Sequence, residues 1–189
     1  MVGADGVARC WWCGEDPVYR AYHDDDWGRP IRDERALFEL LCLEGFQAGL
    51  AWITILRKRA AFRVAFAGFD IKAVAGFDDT DLERLLTDAG IVRHRGKITA
   101  TIANAHAVLA LHESGTSLVE LVWSHAPPAR ARALRSIGEI PAKTPESSAL
   151  AKALQGAGMR FVGPTTVYAF MQSAGLVDDH LAACHRAGG

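Results

Sequence analysis

Apolar residues in this chain recur three and four positions apart over most of its length, the spacing of one helix face. Leu37, Leu40, Leu41 and Ala48 keep that spacing from Asp33 to about Gly49. Ile98, Ile102, Ala105, Val108 and Leu109 form a second stripe, from Lys97 to about Ser114, in a stretch without proline or glycine. Thr80-x-x-Glu83 and Ser117-x-x-Glu120 have the form of capping boxes, so each predicts a helix start. Thr144-Pro145 places a cap and a first-turn proline ahead of a helix from Glu146 to about Gln155. No segment alternates as a half-buried strand must, and no repeat is present. Loops are expected at Ala126-Pro127-Pro128 and from Ile137 to Thr144. The fold predicted is mainly α.

From Leu150 to Gly175 the pattern is a helix ending at Gly156-Ala-Gly158, a short Met159–Val162 link, and a second helix opened by Gly163-Pro164-Thr165-Thr166. Backbone amides at such a helix start point outward, where the dipole favours an anion. Two helices around a glycine-bounded hairpin match the helix-hairpin-helix arrangement, which grips a DNA phosphate without reading sequence. The same pattern also fits any two helices joined by a glycine turn.

Composition narrows the class only a little. The chain has 189 residues, 50% hydrophobic and 23% charged, which suits a single domain spanning 1–189. Its apolar runs fall short of the roughly 18 residues of a membrane span. The first residues lack the pattern of a signal peptide, so a cytoplasmic protein without a membrane partner is expected. The net charge of −1 argues weakly against a nucleic-acid partner. Basic residues nevertheless cluster at Arg57-Lys58-Arg59 with Arg63, at Arg93-His94-Arg95-Gly96-Lys97, and at Arg130, Arg132 and Arg135. Solvated helix faces account for such clusters as readily as phosphates do.

Three constellations carry candidate chemistry. Cys10-Trp-Trp-Cys13 and His23 stand near one end of the chain, and His180, Cys184 and His185 near the other. Thiolate and imidazole are zinc's preferred ligands, and residues four apart share a helix face, so His180 and Cys184 can meet one metal. Ligands from both ends would make that metal a staple between residues 10–27 and 176–185. Glu44 falls at i+7 from Leu37, on the stripe that should face the core, where an unpaired carboxylate needs donors, a proton or a ligand. Gly45 and Gly49 should break the helix soon after it. Trp11, Trp12, Trp27 and Trp52, with Tyr19 and Tyr22, suit stacking on a flat cationic ligand.

Longer blocks carry a resemblance. Asp16-Pro17-x-Tyr19-x-Ala-Tyr22-His23-Asp24, Cys42-Leu43-Glu44-Gly45-x-Gln47-Ala48-Gly49-Leu50-x-Trp52-Ile53-Thr54, Asp88 to Lys97, Phe161-Val162-Gly163, Phe170-Met171-Gln172 and Gly175 to His180 closely resemble DNA-3-methyladenine glycosylase I. The likeness runs from about residue 9 to 184. It implies a helix-hairpin-helix glycosylase that flips 3-methyladenine out of alkylated double-stranded DNA. The enzyme would hydrolyse the N-glycosidic bond without cutting the strand, leaving an abasic site and free 3-methyladenine.

The resemblance also implies one structural zinc (Zn2+) on Cys10, His23, His180 and Cys184, leaving Cys13 and His185 outside. It places the base at Glu44, Tyr22, Trp12 and Trp52, with Trp27 nearby, and makes Glu44 the catalytic residue, accepting hydrogen bonds from the adenine edge and favouring its positive charge. Leu50 would wedge into the gap left by the base. Arg93, Arg95 and Lys97, with the amides of Gly163, Thr165 and Thr166, would hold phosphates. Asp178 and Asp179 are candidates for a catalytic role or for support of the zinc histidine. Cys13 departs from the family pattern; it would compete for the metal or pair with Cys10 once zinc is lost. A monomer is expected. Two other readings remain: a non-catalytic zinc-containing DNA-binding protein that senses alkylation, and a thiol oxidoreductase on Cys10-x-x-Cys13, which the lack of a βαβ pattern disfavours.

Overall fold

Asp16 starts the first helix: its carboxylate accepts from the amides of Val18 and Tyr19, and Pro17 fits the first turn. The computed structural model describes residues 2–188, and this helix, α1, is Pro17–Ala21. It runs into a wider π-type turn, Tyr22–Asp26. α2 is Glu34–Gln47, capped by Asp33, and α3 is Trp52–Ala65. α4 (Ile71–Ala75), α5 (Asp79–Thr87), α6 (Arg95–Glu113) and α7 (Leu118–Trp123) follow. α8 (Pro145–Gly156) and α9 (Pro164–Ser173) form a helical hairpin. Among the described residues there is no sheet, only isolated bridges between Val2 and Ala8 and between Leu134 and Leu181.

Most start signals act where the sequence places them. Ser117 and Glu120 make a reciprocal box, and Thr144 does so with Ser147. α5 is the correction. Its cap is Asp78, paired with Asp81, so Thr80 and Glu83 lie inside the helix. A carboxylate two residues upstream takes the free amides first.

α2 is the central element, buried continuously from Leu37 to Phe46 and packed against α3, α6, α7 and α9. Phe46, Phe62, Phe66 and Phe69 are out of water, and successive ring pairs in that order lie 4.7, 6.2 and 5.5 Å apart. Each such ring contributes about 1.5–3 kcal/mol through burial. Gly45 does not break the helix as its sequence context suggests. It lies within α2, where a Cβ would stand 3.3 Å from the Phe161 Cβ of the α8–α9 link. Glycine there lets the hairpin rest against the helix.

That link is held from outside. Asn104, buried on α6, accepts from the Arg160 amide at 2.7 Å and donates to the Arg160 carbonyl at 3.2 Å. Phe161 sits at φ 57°, a conformation that costs a non-glycine residue about 1–3 kcal/mol. At the far end of α9, Gly175 has φ +72° and touches the chain crossing at Arg29 and Pro30, where a Cβ would collide with backbone at 2.4 Å. The Ile31 amide bonds to the Ala174 carbonyl there, which brings the N-terminal segment beside the end of α9.

Candidate functional site

That crossing sets two constellations side by side. One is an aromatic cavity of about 200 Å³ between the N-terminal segment, α2, α3 and α9. Trp12, Tyr19, Tyr22, Trp27 and Trp52 line it, with Glu44, Gln47, Ile140, Gln172 and Ser173. The rings meet mostly edge-on: Trp12 stands 5.0 Å from both Tyr19 and Trp27, and Tyr22 stands 5.6 Å from Trp52. Edge-on packing leaves ring faces open to the space they enclose. Trp11, by contrast, points to solvent.

Glu44 is the carboxylic acid of the lining, and only 3% of it is exposed. Among the described residues its hydrogen-bond partner is the Ser173 hydroxyl, which donates to Oε1 at 2.8 Å. Tyr22 in turn donates to Ser173 at 3.1 Å. Burial pushes the Glu44 carboxyl up to about 8, against a smaller downward pull from Ser173. Burial therefore favours the neutral form of the acid in this pocket. Trp52 Nε1 is also buried there and has no hydrogen-bond partner.

The second constellation is a cluster of four buried ligand groups. The sulfurs of Cys10 and Cys184 and one ring nitrogen each from His23 and His180 lie within 4.8 Å of one another. Cys10 Sγ is 3.7 Å from His180 Nδ1, and Cys184 Sγ is 3.6 Å from the same nitrogen and 3.4 Å from His23 Nε2. Ligands at zinc's usual bond lengths on a tetrahedron stand about 3.3–3.8 Å apart, so these edges fit such an ion. Burial, then the neighbouring His23, press His180 down to about 4, leaving the neutral imidazole a metal takes. Burial pushes the Cys10 thiol up to about 12, a cost that a bound cation reverses.

His23 is oriented for this by Asp24, whose carboxylate meets Nδ1 at 2.7 Å and leaves Nε2 facing the cluster. Burial works against the Asp24 charge, but Arg9 and His23 bring its pKa down to about 2. Trp27 joins the two constellations, 4.5 Å from the His180 ring and 5.0 Å from Trp12. The wall of the pocket is therefore backed by the ligand cluster.

Comparison with known proteins decides the family. A model of the methyladenine glycosylases matches residues 12–187. DNA-3-methyladenine glycosylase 1 of Escherichia coli K12 is 50% identical over 181 residues, covering 94% of this chain and 96% of that one. The chain belongs to the methyladenine glycosylase family. A crystal structure of 3-methyladenine DNA glycosylase I, also 50% identical, superposes with a TM-score of 0.91 over 94% of this chain and 98% of that one. The Staphylococcus aureus 3-methyladenine DNA glycosylase I, solved for the structural basis of 3-methyladenine recognition, is 37% identical. It gives a TM-score of 0.89 over 94% of this chain and 95% of that one.

The remaining candidates in this methyladenine glycosylase separate into several groups. Leu50 is 39% exposed in the turn after α2, beside the pocket residue Gln47, which donates to its carbonyl at 2.9 Å. Arg93 is exposed, and Arg95 is exposed but paired with Glu83 at 2.6 Å. Thr165 is exposed and Gly163 half-buried at the start of α9, which no side chain caps; Thr166 is half-buried beside them.

Lys97 is a correction. It is buried, and its ammonium donates to the carbonyls of Phe46 at 2.9 Å and Ala48 at 2.6 Å. A cation at a helix C-terminus meets unsatisfied carbonyls, so Lys97 holds the end of α2.

Neither Asp178 nor Asp179 supports a ligand histidine through its ring. Asp179 is buried against Arg130, Tyr168 and Gln172, and Asp178 accepts from the backbone amides of His180 and Gly188. Asp24 does that work instead, and its place next to His23 in sequence was the available signal. Cys13 lies outside the four-ligand cluster, donating to the Cys10 carbonyl at 3.1 Å on a short 3₁₀ turn. His185 is exposed and turned toward the Ala8 carbonyl. The basic run on α3 is spent on internal partners: Arg57 on Asp16, Lys58 on the carbonyls of Ala89 and Gly90, and Arg59 and Arg63 on Glu39. No described helix is long and apolar enough to cross a membrane.

Proposed function

We infer that the aromatic pocket receives a 3-methyladenine flipped out of alkylated double-stranded DNA, and that the protein hydrolyses its N-glycosidic bond. The observation that carries this is Glu44, a buried acid without a cationic partner, enclosed by five aromatic rings. Alkylation at N3 gives the base a positive charge. Ring faces attract that charge, and a carboxylate pairs with it once its proton leaves. The cationic base already leaves readily, so Glu44, as the catalytic residue, acts by binding and orienting it. The unpartnered Trp52 Nε1 fits a pocket that a ligand completes. No lysine lines the cavity, which favours attack by water and release of free 3-methyladenine without strand cleavage.

The wider reading follows the same chemistry. Zinc is the ion proposed for Cys10, His23, His180 and Cys184; four protein ligands close the site, so it would cross-link and supply no reacting atom. The α8–α9 hairpin acts as a helix-hairpin-helix element whose amides at Gly163, Thr165 and Thr166 meet a phosphate. Arg93 and Arg95 add phosphate contacts, and Leu50 fills the stack behind the flipped base. The protein works as a cytoplasmic monomer, with residues 1–189 one domain stapled between 10–27 and 176–185.

Chromatography of bases released from methylated duplex DNA tests the activity. The wild-type protein releases 3-methyladenine, and Glu44→Gln lowers the rate by about 100-fold or more. Equal release by both discards the role of Glu44. Binding of alkylated DNA with no release from the wild type selects the non-catalytic sensor instead. Metal analysis should find one zinc per chain, lost together with helical content on chelation; a metal-free protein with an unchanged spectrum refutes the ion.

A further inference from the structure

Among the described residues, the Glu44 carboxyl has one hydrogen-bond partner, the Ser173 hydroxyl. Ser173 ends α9, is 5% exposed, and gives its hydrogen to Glu44 Oε1 at 2.8 Å. The serine's own Oγ accepts from the Tyr22 hydroxyl at 3.1 Å. With Tyr22 donating into Ser173, the serine's single hydrogen is free to go to the carboxylate, and the two bonds polarise in one direction. A serine at this place is more than filler. It and Tyr22 form the wall between the base pocket and a second cavity of about 160 Å³.

Glu44 apart, the charged residues that line the two cavities lie on the other side of this wall. The N-terminal segment presents Trp12 and Tyr22 to the pocket, α3 presents Trp52, and α9 presents Gln172 and Ser173, none of them charged. Asp25, Asp26, Arg29 and Arg59 line the second cavity. Stabilisation of a charge on Glu44 before any base arrives therefore falls to the hydroxyl chain.

We propose that Ser173 is a positioning residue for base excision: it relays the Tyr22 hydrogen bond to Glu44, fixes the carboxyl's orientation and favours the charged form that a cationic base requires. This rests on Glu44 being the pocket acid. A hydrogen bond to a charged group is strong enough to move its titration by about one to two pH units. Without the hydroxyl, Glu44 would keep its proton to higher pH and meet the cationic base less often in the charged form.

Infrared titration of the apo protein tests the proposal without relying on activity. The carboxylic-acid C=O band that disappears in Glu44→Gln belongs to Glu44, and its midpoint is followed in each variant. Ser173→Ala should raise the midpoint by about one to two pH units and slow base release at neutral pH by about 10–100-fold. Ser173→Thr keeps the hydroxyl and should restore both. An unmoved midpoint in Ser173→Ala, or an equal rise in Ser173→Thr, overturns the role of Ser173 alone. A Glu44→Gln protein that lacks the band but releases base at the parent rate overturns the role of Glu44 and this one with it.

Discussion

Glu39 and Glu44 stand five residues apart on α2, both withdrawn from water, and they meet opposite surroundings. Glu39 faces α3 and accepts from Arg59 at 2.7 Å and from Arg63 at 2.9 Å. Glu44 faces the pocket and has one hydroxyl, no cation, and a wall of rings. The first carboxylate is finished: its charge is balanced inside the fold. The second is left for something to arrive. Burial of an acid is common to both, so the missing counter-charge is what separates a site from a structural pair.

The sharpest way to break the comparison is to follow stability with pH. Burial raises Glu44 in the folded protein to about 8, above its ordinary value of 4.5. Folding therefore favours its neutral form. The stability it allows is fully present below about pH 4.5 and is lost as pH rises through about 8. Urea denaturation of the wild type against Glu44→Gln should show the wild type falling behind by roughly a few kcal/mol across that window. Parallel curves would mean that Glu44 is solvated after all.

A smaller effect is expected at the other carboxylate. Glu39→Gln should cost about 1–2 kcal/mol, less than a fully enclosed pair, because both guanidiniums reach water. Base release at saturating DNA should stay within about twofold of the parent; a large loss would put Glu39 in the site. Least of all is Lys97→Met, which tests whether a third buried charge belongs with the finished kind. About 1 kcal/mol of stability should go, with the slope of log affinity against log salt unchanged. A slope shallower by about one would return Lys97 to the phosphates.

Much of this was legible in the sequence for a plain reason: helix periodicity and caps are local. Ser117 and Thr144 cap where their spacing says, and Glu44 is buried because Leu37, Leu40 and Leu41 set the face of α2. Cys10, His23, His180 and Cys184 meet, the four that the family resemblance picks out from the six Cys and His candidates near the two ends. Lys97 was misread because a basic residue in a basic run looks solvated, while its partners, the Phe46 and Ala48 carbonyls, are backbone groups about fifty positions away. Ser173 gave no sign at all. A small polar residue near a helix end is ordinary, and only packing brings it to a carboxylate 129 positions earlier.

The ligand cluster also changes what kind of object the chain is. Cys10 touches His180 across 170 positions and Cys184 touches His23 across 161, so a bound ion would turn an open string into a ring of nearly the whole sequence. Closing a ring that large in a disordered chain costs about 5 kcal/mol of conformational entropy. Such an ion would gain its full set of ligands only once the helices had carried the two ends together. Metal uptake would then report on folding, because the cluster shares Trp27 with the aromatic pocket and forms only where that wall is in place.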